Sequence, residues 1–565
     1  MAALMCKCCR GPDRTWKTFI YKADYFKYFQ RTRSKSTAVR VKSSVFCEKS
    51  KYFRLQSRFS RPVLVKGFNS SYSLANANTD EYLPRLSERG LLFCQSSTDD
   101  EDYIGQPTHA THPHLMADGE LTPGITKKEY MDRRHNLMSV LSKTHFGSTH
   151  DKHFVIVASN PQKYMTTDVP YPFRQNTDFL YLTGFQEPDS VLILETQPGL
   201  SLPYHRSILF VRPKDPSKEL WEGSRAGIQG AINIFGVDEA YSIKELSVKL
   251  IERYSNKDYC IWYDNLQPSH PLLHAELKQV LFSNPKFVFK SLLVLGHNLH
   301  MLRLLKSPAE IKLMRKSASV ASNAIKKVIT KTHPGLEESH LHTTLEYECR
   351  MNGAERLSYP PVVAGGSLAN TLHYVNNSQL LRAGDLVLMD AGCEYHGYAS
   401  DITRTWPVNG TFTEAQRQLY DLVLKVQKKC IDLCHKDITL DYIHHAMLTL
   451  LGEGLAGLGI ISKNLTETQL KKAASNYCPH HVGHYLGMDT HDTHLASRSL
   501  SLHPDMVVTI EPGLYIPSND KNVPEKYRGI GIRIEDDVLI TKGGHEVLSY
   551  ECPKEPHDIE NLMRR

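Results

Sequence analysis

The sequence predicts an α/β (α+β) protein. An N-terminal α/β domain is followed by a C-terminal domain whose two halves each run helix, helix, sheet. Three observations point there. The chain has 565 residues, more than one ordinary domain holds. Strand-like apolar runs alternate with helical segments through the middle of the chain. Two helix starts share one capping chemistry, Ser307-Pro308-Ala309-Glu310 and Thr413-Glu414-Ala415-Gln416, and each introduces a helix, a second helical stretch and then strand-like runs. The composition, 41% hydrophobic and 23% charged, supports sizeable cores.

The first 80 residues form a basic leader, with 17 Lys/Arg against four Asp/Glu. The overall charge is +7, so the remainder of the chain is net acidic and carries no general nucleic-acid footprint. The leader is rich in Ser, Tyr and Phe and lacks the apolar core of a secretory signal. It reads as a mitochondrial transit peptide directing the chain to the matrix, with the cytoplasm as a second location. No apolar run is long enough to span a bilayer. The twelve cysteines form no zinc-binding pattern, and even the cluster Cys6, Cys8, Cys9 reads as free thiols in a reducing compartment.

Residues 81–104 read as a polar linker ending in the acidic run SSTDDEDY. The N-terminal domain spans 105–296 and opens with a His- and Pro-rich arm. In KKEYMDRRHNLMSVL, Tyr130, Arg134, Leu137, Met138 and Leu141 recur at helical spacing. FVIVAS, FLYLTGF, SVLILET and SILFV read as strands, and SIKELSVKLIERY as a helix. The second domain spans 297–555. Its first helix carries Ile311, Met314, Ala318, Ala321 and Ile325; the helix opening its second half carries Leu419, Leu422, Val423 and Val426.

Five potential metal ligands lie in the last third: Asp390 in LVLMDAG, Asp401 in SDITRTWP, His484 in HHVGHYLG, Glu511 in TIEPGLY and Glu535 in IRIEDD. Asp390 ends a buried apolar run, and Asp401 follows a Gly-containing turn that brings it back toward Asp390. Glu511 repeats the pattern at the end of VVTI. In GIRIE the alternation puts Arg533 and Glu535 on one face. Four carboxylates and one imidazole are too many anionic groups to share a small cavity without cations. Two divalent ions about 3.5–4 Å apart would neutralise them and activate a bridging water, so these residues point to a hydrolase. Oxygen-rich ligation favours manganese over zinc.

The strings LHYVNN, LVLMDAGCEYHGYASDITRTWP, HHVGHYLGMDTHD, TIEPGLYI and GIRIEDD resemble the pita-bread metallopeptidases, and more narrowly their aminopeptidase P branch. With YPPVVAGG and the basic leader, the likeness extends to that branch's mitochondrial members. It covers roughly residues 105–555, including RQNTDFLYLTGFQEPDS. It implies a pita-bread catalytic domain with pseudo-twofold halves, hydrolysis of the bond between an N-terminal residue and a penultimate proline, and peptides as partners. It also implies a homodimer. Asp390, Asp401, His484, Glu511 and Glu535 would hold the two ions, with Asp401 and Glu535 bridging, and Glu511 would carry a proton. His373 would position or polarise the substrate. His480 and His491 would shape the pocket, with His491 touching the peptide or shuttling protons. Arg533, Arg498 and Tyr515 match positions that order or line the site, and Asp178 a first-domain acid that joins the hydrogen-bond network with the arginine. Two other readings stand beside this one: a prolidase-like dipeptidase and an inactive pita-bread binding module. Retention of all five ligands argues against the second.

Overall fold

Helix α1 (Lys127–Thr144) buries Tyr130, Arg134, Leu137, Met138 and Leu141, the residues its periodicity singles out. In this computed structural model residues 104–144, 151–255, 258–285, 287 and 289–564 are described. The transit-peptide reading of residues 1–80, the Cys6, Cys8 and Cys9 cluster, and the 81–104 linker except Ile104 lie outside the described residues. Ile104 itself is buried. After it, Gly105 N donates to Glu187 and Gln106 Nε2 to the Gly184 carbonyl, so the arm packs onto the first domain.

That domain is built on a six-stranded sheet. Its strands are β1 (Lys152–Ala158), β2 (Val191–Thr196), β3 (His205–Val211), β4 (Glu239–Ser242), β5 (Tyr259–Trp262) and β6 (Phe289–Leu293), in the order β4-β3-β2-β1-β5-β6. β1 and β3 run antiparallel to β2, whereas β4, β5 and β6 each pair in parallel with their inner neighbour. Parallel pairing needs crossover helices, and one of them, Leu246–Tyr254, lays Leu246, Leu250 and Tyr254 onto Phe154, Ile156, Ile208 and Ile261.

FLYLTGF is not a strand. Thr177–Thr183 forms helix α2. The Asn176 side chain accepts from Phe179 N at its start, and Gly184 closes it in the left-handed conformation. The apolar run misled because Phe179, Tyr181 and Leu182 are all buried, so no polar face marks the helical period. Helix α3 (Gly296–Arg303) then packs on α1 and leads into the second domain.

The second domain opens with α4 (Pro308–Lys331), capped as its sequence predicts: Ser307 Oγ receives Glu310 N while the Glu310 carboxylate receives Ser307 N. Helix α5 (Glu338–Met351) follows, then β7 (Val362–Gly365), β8 (Leu386–Ala391) and β9 (Ile402–Pro407), which make one antiparallel sheet. The second half repeats the order. It has α6 (Glu414–Asp432), with the matching Thr413–Gln416 capping box, and α7 (Leu440–Gly457). β10 (Val507–Ile510), β11 (Gly513–Tyr515), β12 (Gly531–Arg533) and β13 (Asp536–Thr541) complete it, with β10 paired to β13 and β11 to β12.

Each half contains a long antiparallel pair that is interrupted once. In the first, the ladder breaks between Ala391↔Ile402 and Glu394↔Ala399. In the second it breaks between Ile510↔Asp536 and Gly513↔Arg533. The first break depends on Gly392, where a Cβ would overlap the Ser400 carbonyl oxygen. Only glycine lets the strands approach this closely. Gly392→Ala should force two backbones apart and destabilise the protein by about 1–3 kcal/mol or more, the cost typical of over-packing. Thermal melting checks this, and a melting temperature equal to the parent's would mean that the hairpin yields freely.

Candidate metal centre

The two interruptions face one another, and they carry the acids. Asp390 lies near the end of β8, opposite Thr403 of β9. Asp401 occupies the first break, Glu511 follows β10, and Glu535 lies between β12 and β13. His484 comes from a segment running along β10, with Thr509 N donating to His484 O and Glu511 N to Val482 O. Gly483 makes that approach possible, since a Cβ would meet the Thr509 carbonyl.

The ligand atoms of Asp401, His484 and Glu535 all lie within 4.8 Å of one another, and the three residues are buried. His484 Nε2 is 3.4 Å from Asp401 Oδ2 and 3.9 Å from Glu511 Oε1. Its Nδ1 is 3.1 Å from the Tyr485 carbonyl, an arrangement that leaves Nε2 turned toward the acids. Asp390 joins through the Tyr359 hydroxyl, 2.6 Å from Asp390 Oδ1 and 2.5 Å from Asp401 Oδ1. Arg533 Nη2 donates to Asp390 Oδ2 at 2.6 Å and Nη1 to the Tyr515 hydroxyl at 2.7 Å. Thr403 Oγ1 donates to Glu535 Oε2 (2.6 Å) and accepts from Arg533 Nε (3.2 Å).

Electrostatics tests whether this set suits cations. Burial, then repulsion from Asp401, Glu511 and Asp390, raises the Glu535 carboxyl well above its usual range. Burial lifts Glu511 to about 7 although His484 and Arg533 oppose the shift. Burial also raises Asp390, against the pull of Arg533. Burial alone would raise Asp401, but hydrogen bonding and charge from His484 bring it below the ordinary value. Burial disfavours charge on His484, yet Asp401 and Glu511 hold it at about 8. The set retains protons that a divalent cation would displace, so donor type and charge both fit metal binding.

Around this core, His480 Nε2 is 2.9 Å from the Tyr515 hydroxyl, and its Nδ1 is 3.7 Å from Glu511 Oε2. Burial, then Arg533, lowers the His480 pKa to about 4, which keeps the ring neutral. The His491 ring meets His484 edge-on, with centroids 4.4 Å apart. Both line a cavity of about 470 Å³ that also includes Tyr485, Asp441 and Arg498. His373 is exposed on the loop after β7, close enough to His491 to contribute, behind burial and His484, to lowering its pKa.

Asp178 is placed differently. It sits in the first turn of α2 and accepts from Arg303 Nη1 at 2.5 Å, rather than meeting Arg533 or Arg498. Arg303 Nη2 also holds Asp489 and Asp492, the residue after His491. Arg174 Nη2 donates to the Met488 carbonyl, and Thr177 Oγ1 to Asp489. Asp178 therefore buttresses the His491 loop from behind. Sequence reasoning passed over Tyr359, although it opens the YPPVV string, and also Thr403 and Arg303. Tyr359 alone carried a local signal, a tyrosine before two prolines.

Fold and donor set together define a metallopeptidase. The model of metallopeptidase family M24 matches residues 312–542, and that of the aminopeptidase P N-terminal domain matches residues 130–262. The chain belongs to the Xaa-Pro aminopeptidases of that family. It is 50% identical to Xaa-Pro aminopeptidase 3 of Homo sapiens over 81% of this chain and 90% of the relative. It is 44% identical to the mitochondrial intermediate cleaving peptidase 55 of Arabidopsis thaliana, over 81% of this chain and 87% of that one. Zinc-substituted aminopeptidase P of Escherichia coli, in complex with product, superposes with a TM-score of 0.72 at 34% identity, covering 78% of this chain and 98% of that one.

The raised carboxyls give a signed pH dependence. Stability from protonated Glu511 is fully present below its ordinary 4.5 and is lost as the pH rises through about 7. Protonated His484, held at about 8, adds a loss in the same direction. The metal-free protein should therefore melt at falling temperatures from about pH 5 to about pH 8, with a shallower slope in Glu511→Gln or with saturating divalent metal. Melting curves across that range decide it, and identical slopes for all three samples would contradict the assignment.

Proposed function

We propose that this metal-dependent peptidase hydrolyses the bond between an N-terminal residue and a penultimate proline, using two divalent cations, with Mn²⁺ the best match to an oxygen-rich set. The reading rests on one observation above all: four carboxylates from two facing hairpins, with His484 from the segment along β10, gather beside Arg533, Tyr359 and three further histidines. Asp390, Asp401, His484, Glu511 and Glu535 would hold the ions. When bound, such ions activate water and stabilise the charge that develops on a carbonyl oxygen.

The chain's own groups do the rest. Glu511, whose carboxylate lies 3.7 Å from His480 Nδ1 and 3.9 Å from His484 Nε2, would take the proton from the attacking water and pass it on. Arg533 donates to Asp390 and orients it, opposing the effect of burial, so that Asp390 offers an acceptor for the free amine of the first residue. His373 and His491 provide hydrogen-bonding groups for the reacting peptide unit. The nitrogen of the scissile bond is part of proline's ring and has no N–H, so the site needs no acceptor for it. The cavity that runs from His484 to Arg498 leaves room for residues beyond proline, which favours longer peptides over the dipeptides of a prolidase.

An X-Pro-Pro peptide should be cleaved with a kcat/KM about ten- to two-hundredfold above that for X-Ala-Pro, the range that shape discrimination commonly supplies. Chelation should abolish both activities. Steady-state kinetics on the two peptides measures the ratio, and equal rates would remove proline from the reading.

A matrix location follows from the basic leader and accords with the Arabidopsis relative's mitochondrial designation. A homodimer is supported by the first domain's surface, where Leu220 and Trp221 are 80% and 84% exposed in the helix Pro216–Glu222. Large apolar side chains of this kind mark contact surfaces. Sedimentation should give a dimer for the parent and a shift to monomer in a Leu220→Ser, Trp221→Ser double variant. An active parental monomer would exclude the dimer.

A further inference from the structure

Among the described residues, no hydrogen bond holds the His373 imidazole, and the side chain is exposed. Its position is set by the loop that carries it, from Gly366 after β7 to Ser378. That loop closes around one buried acid. Glu338, fully buried in the first turn of α5, accepts from Gly365 N at 2.8 Å through Oε1. Its Oε2 accepts from Gln379 N at 2.9 Å and from the Tyr374 hydroxyl at 2.8 Å. One carboxylate thus holds the residue before the loop, the residue after it, and the neighbour of His373.

The surroundings make the attachment specific. Glu338 N donates to the Gln379 carbonyl, and Leu381 N to that of Leu336, so both sides of the closure are backbone-paired. Asn377, at a φ of 49°, accepts from Val363 N and donates to the Pro361 carbonyl. Leu368, Leu372 and Tyr374 pack on an apolar cluster containing Val362, Ala364, Leu388 and Tyr515. Tyr515 in turn bonds Arg533 and His480. Burial, then the hydrogen bond to Glu338, raises the Tyr374 phenol, which stays a donor. A carboxylate can accept all three donors. An amide in its place would turn an N–H toward one of them.

We infer that Glu338 is a positioning residue, acting through Tyr374 and the loop ends to hold His373 beside the metal centre. The inference rests on the proposed contact of His373 with substrate. Fixing an exposed side chain in advance lowers the cost of ordering it during reaction, so losing the tether should reduce turnover more than substrate binding.

The test uses the metal-loaded full chain and an X-Pro-Pro peptide, comparing Tyr374→Phe, Glu338→Gln, His373→Ala and the Tyr374→Phe, His373→Ala double variant. Tyr374→Phe removes a single hydroxyl and carries the test if Glu338→Gln fails to fold. It should lower kcat by about two- to tenfold, the worth of one hydrogen bond, with KM and metal content unchanged. Amide exchange in residues 366–378 should quicken. In the His373→Ala background the same change should cost nothing further. An undiminished effect of Tyr374→Phe in that background would overturn the inference, because Tyr374 would then act by another route. Parental turnover in Tyr374→Phe beside a defective His373→Ala would overturn the tether alone. Parental kinetics in His373→Ala would overturn the His373 reading and the tether with it.

Discussion

Four carboxylates share one buried space, and the architecture of the second domain answers that constraint. Burying even one unpaired carboxylate is costly, and like charges at close range add to the cost. Each acid here has a specific counterweight. Arg533 faces Asp390, Tyr359 lies between Asp390 and Asp401, Thr403 meets Glu535, and His484 faces Asp401 and Glu511. These partners come from both halves of the domain. The charge problem is solved only where the two interrupted hairpins meet, which links assembly of the fold to assembly of the site.

Beneath Glu535 lies another ionic layer that is fully satisfied. Arg404, entirely buried, donates to the carbonyls of Thr403, Glu535, Cys552 and Pro553 and to Asp536 at 2.7 Å. Asp536 also accepts from Lys554 (2.5 Å), Gln427 and Ser549. Burial would raise its carboxyl, but Arg404 and Lys554 outweigh that effect and keep it at about 2. Consecutive acids therefore have opposite fates: Asp536 is permanently ionised and structural, whereas Glu535 is protonatable and available to a cation. The difference lies in what each meets: Asp536, the first residue of β13, meets Arg404, whereas Glu535, in the interruption before it, meets Asp401 and His484.

What could be read from the residues depended on range. The capping boxes at Ser307 and Thr413 are local, and so are apolar runs ending on an acid; both are visible within a few positions. The gathering of the five proposed ligands was legible because each acid terminates or interrupts a strand and the two halves repeat. FLYLTGF failed because its cap, Asn176, lies just outside the run and its helix has no wet face. Arg303 and Glu338 escaped notice for another reason. Their partners lie far along the chain, Asp489 and Asp492 for the first and Gln379 for the second. Nothing in the residue type distinguishes a buried arginine or glutamate from the many that are solvated.

The contacts of Arg174, Thr177 and Asp178 bear on modularity. All three come from the first domain, and all reach Met488, Asp489 or Arg303 behind the His491 loop. The family models meet the chain as two separate stretches, and a gene could be cut between them. The physical unit does not divide there. A catalytic half released on its own would leave the acids Asp489 and Asp492 with one arginine and one lysine, and the His491 loop without its wall. The first domain is thus part of the active site's scaffold, and the two stretches act as one physical unit.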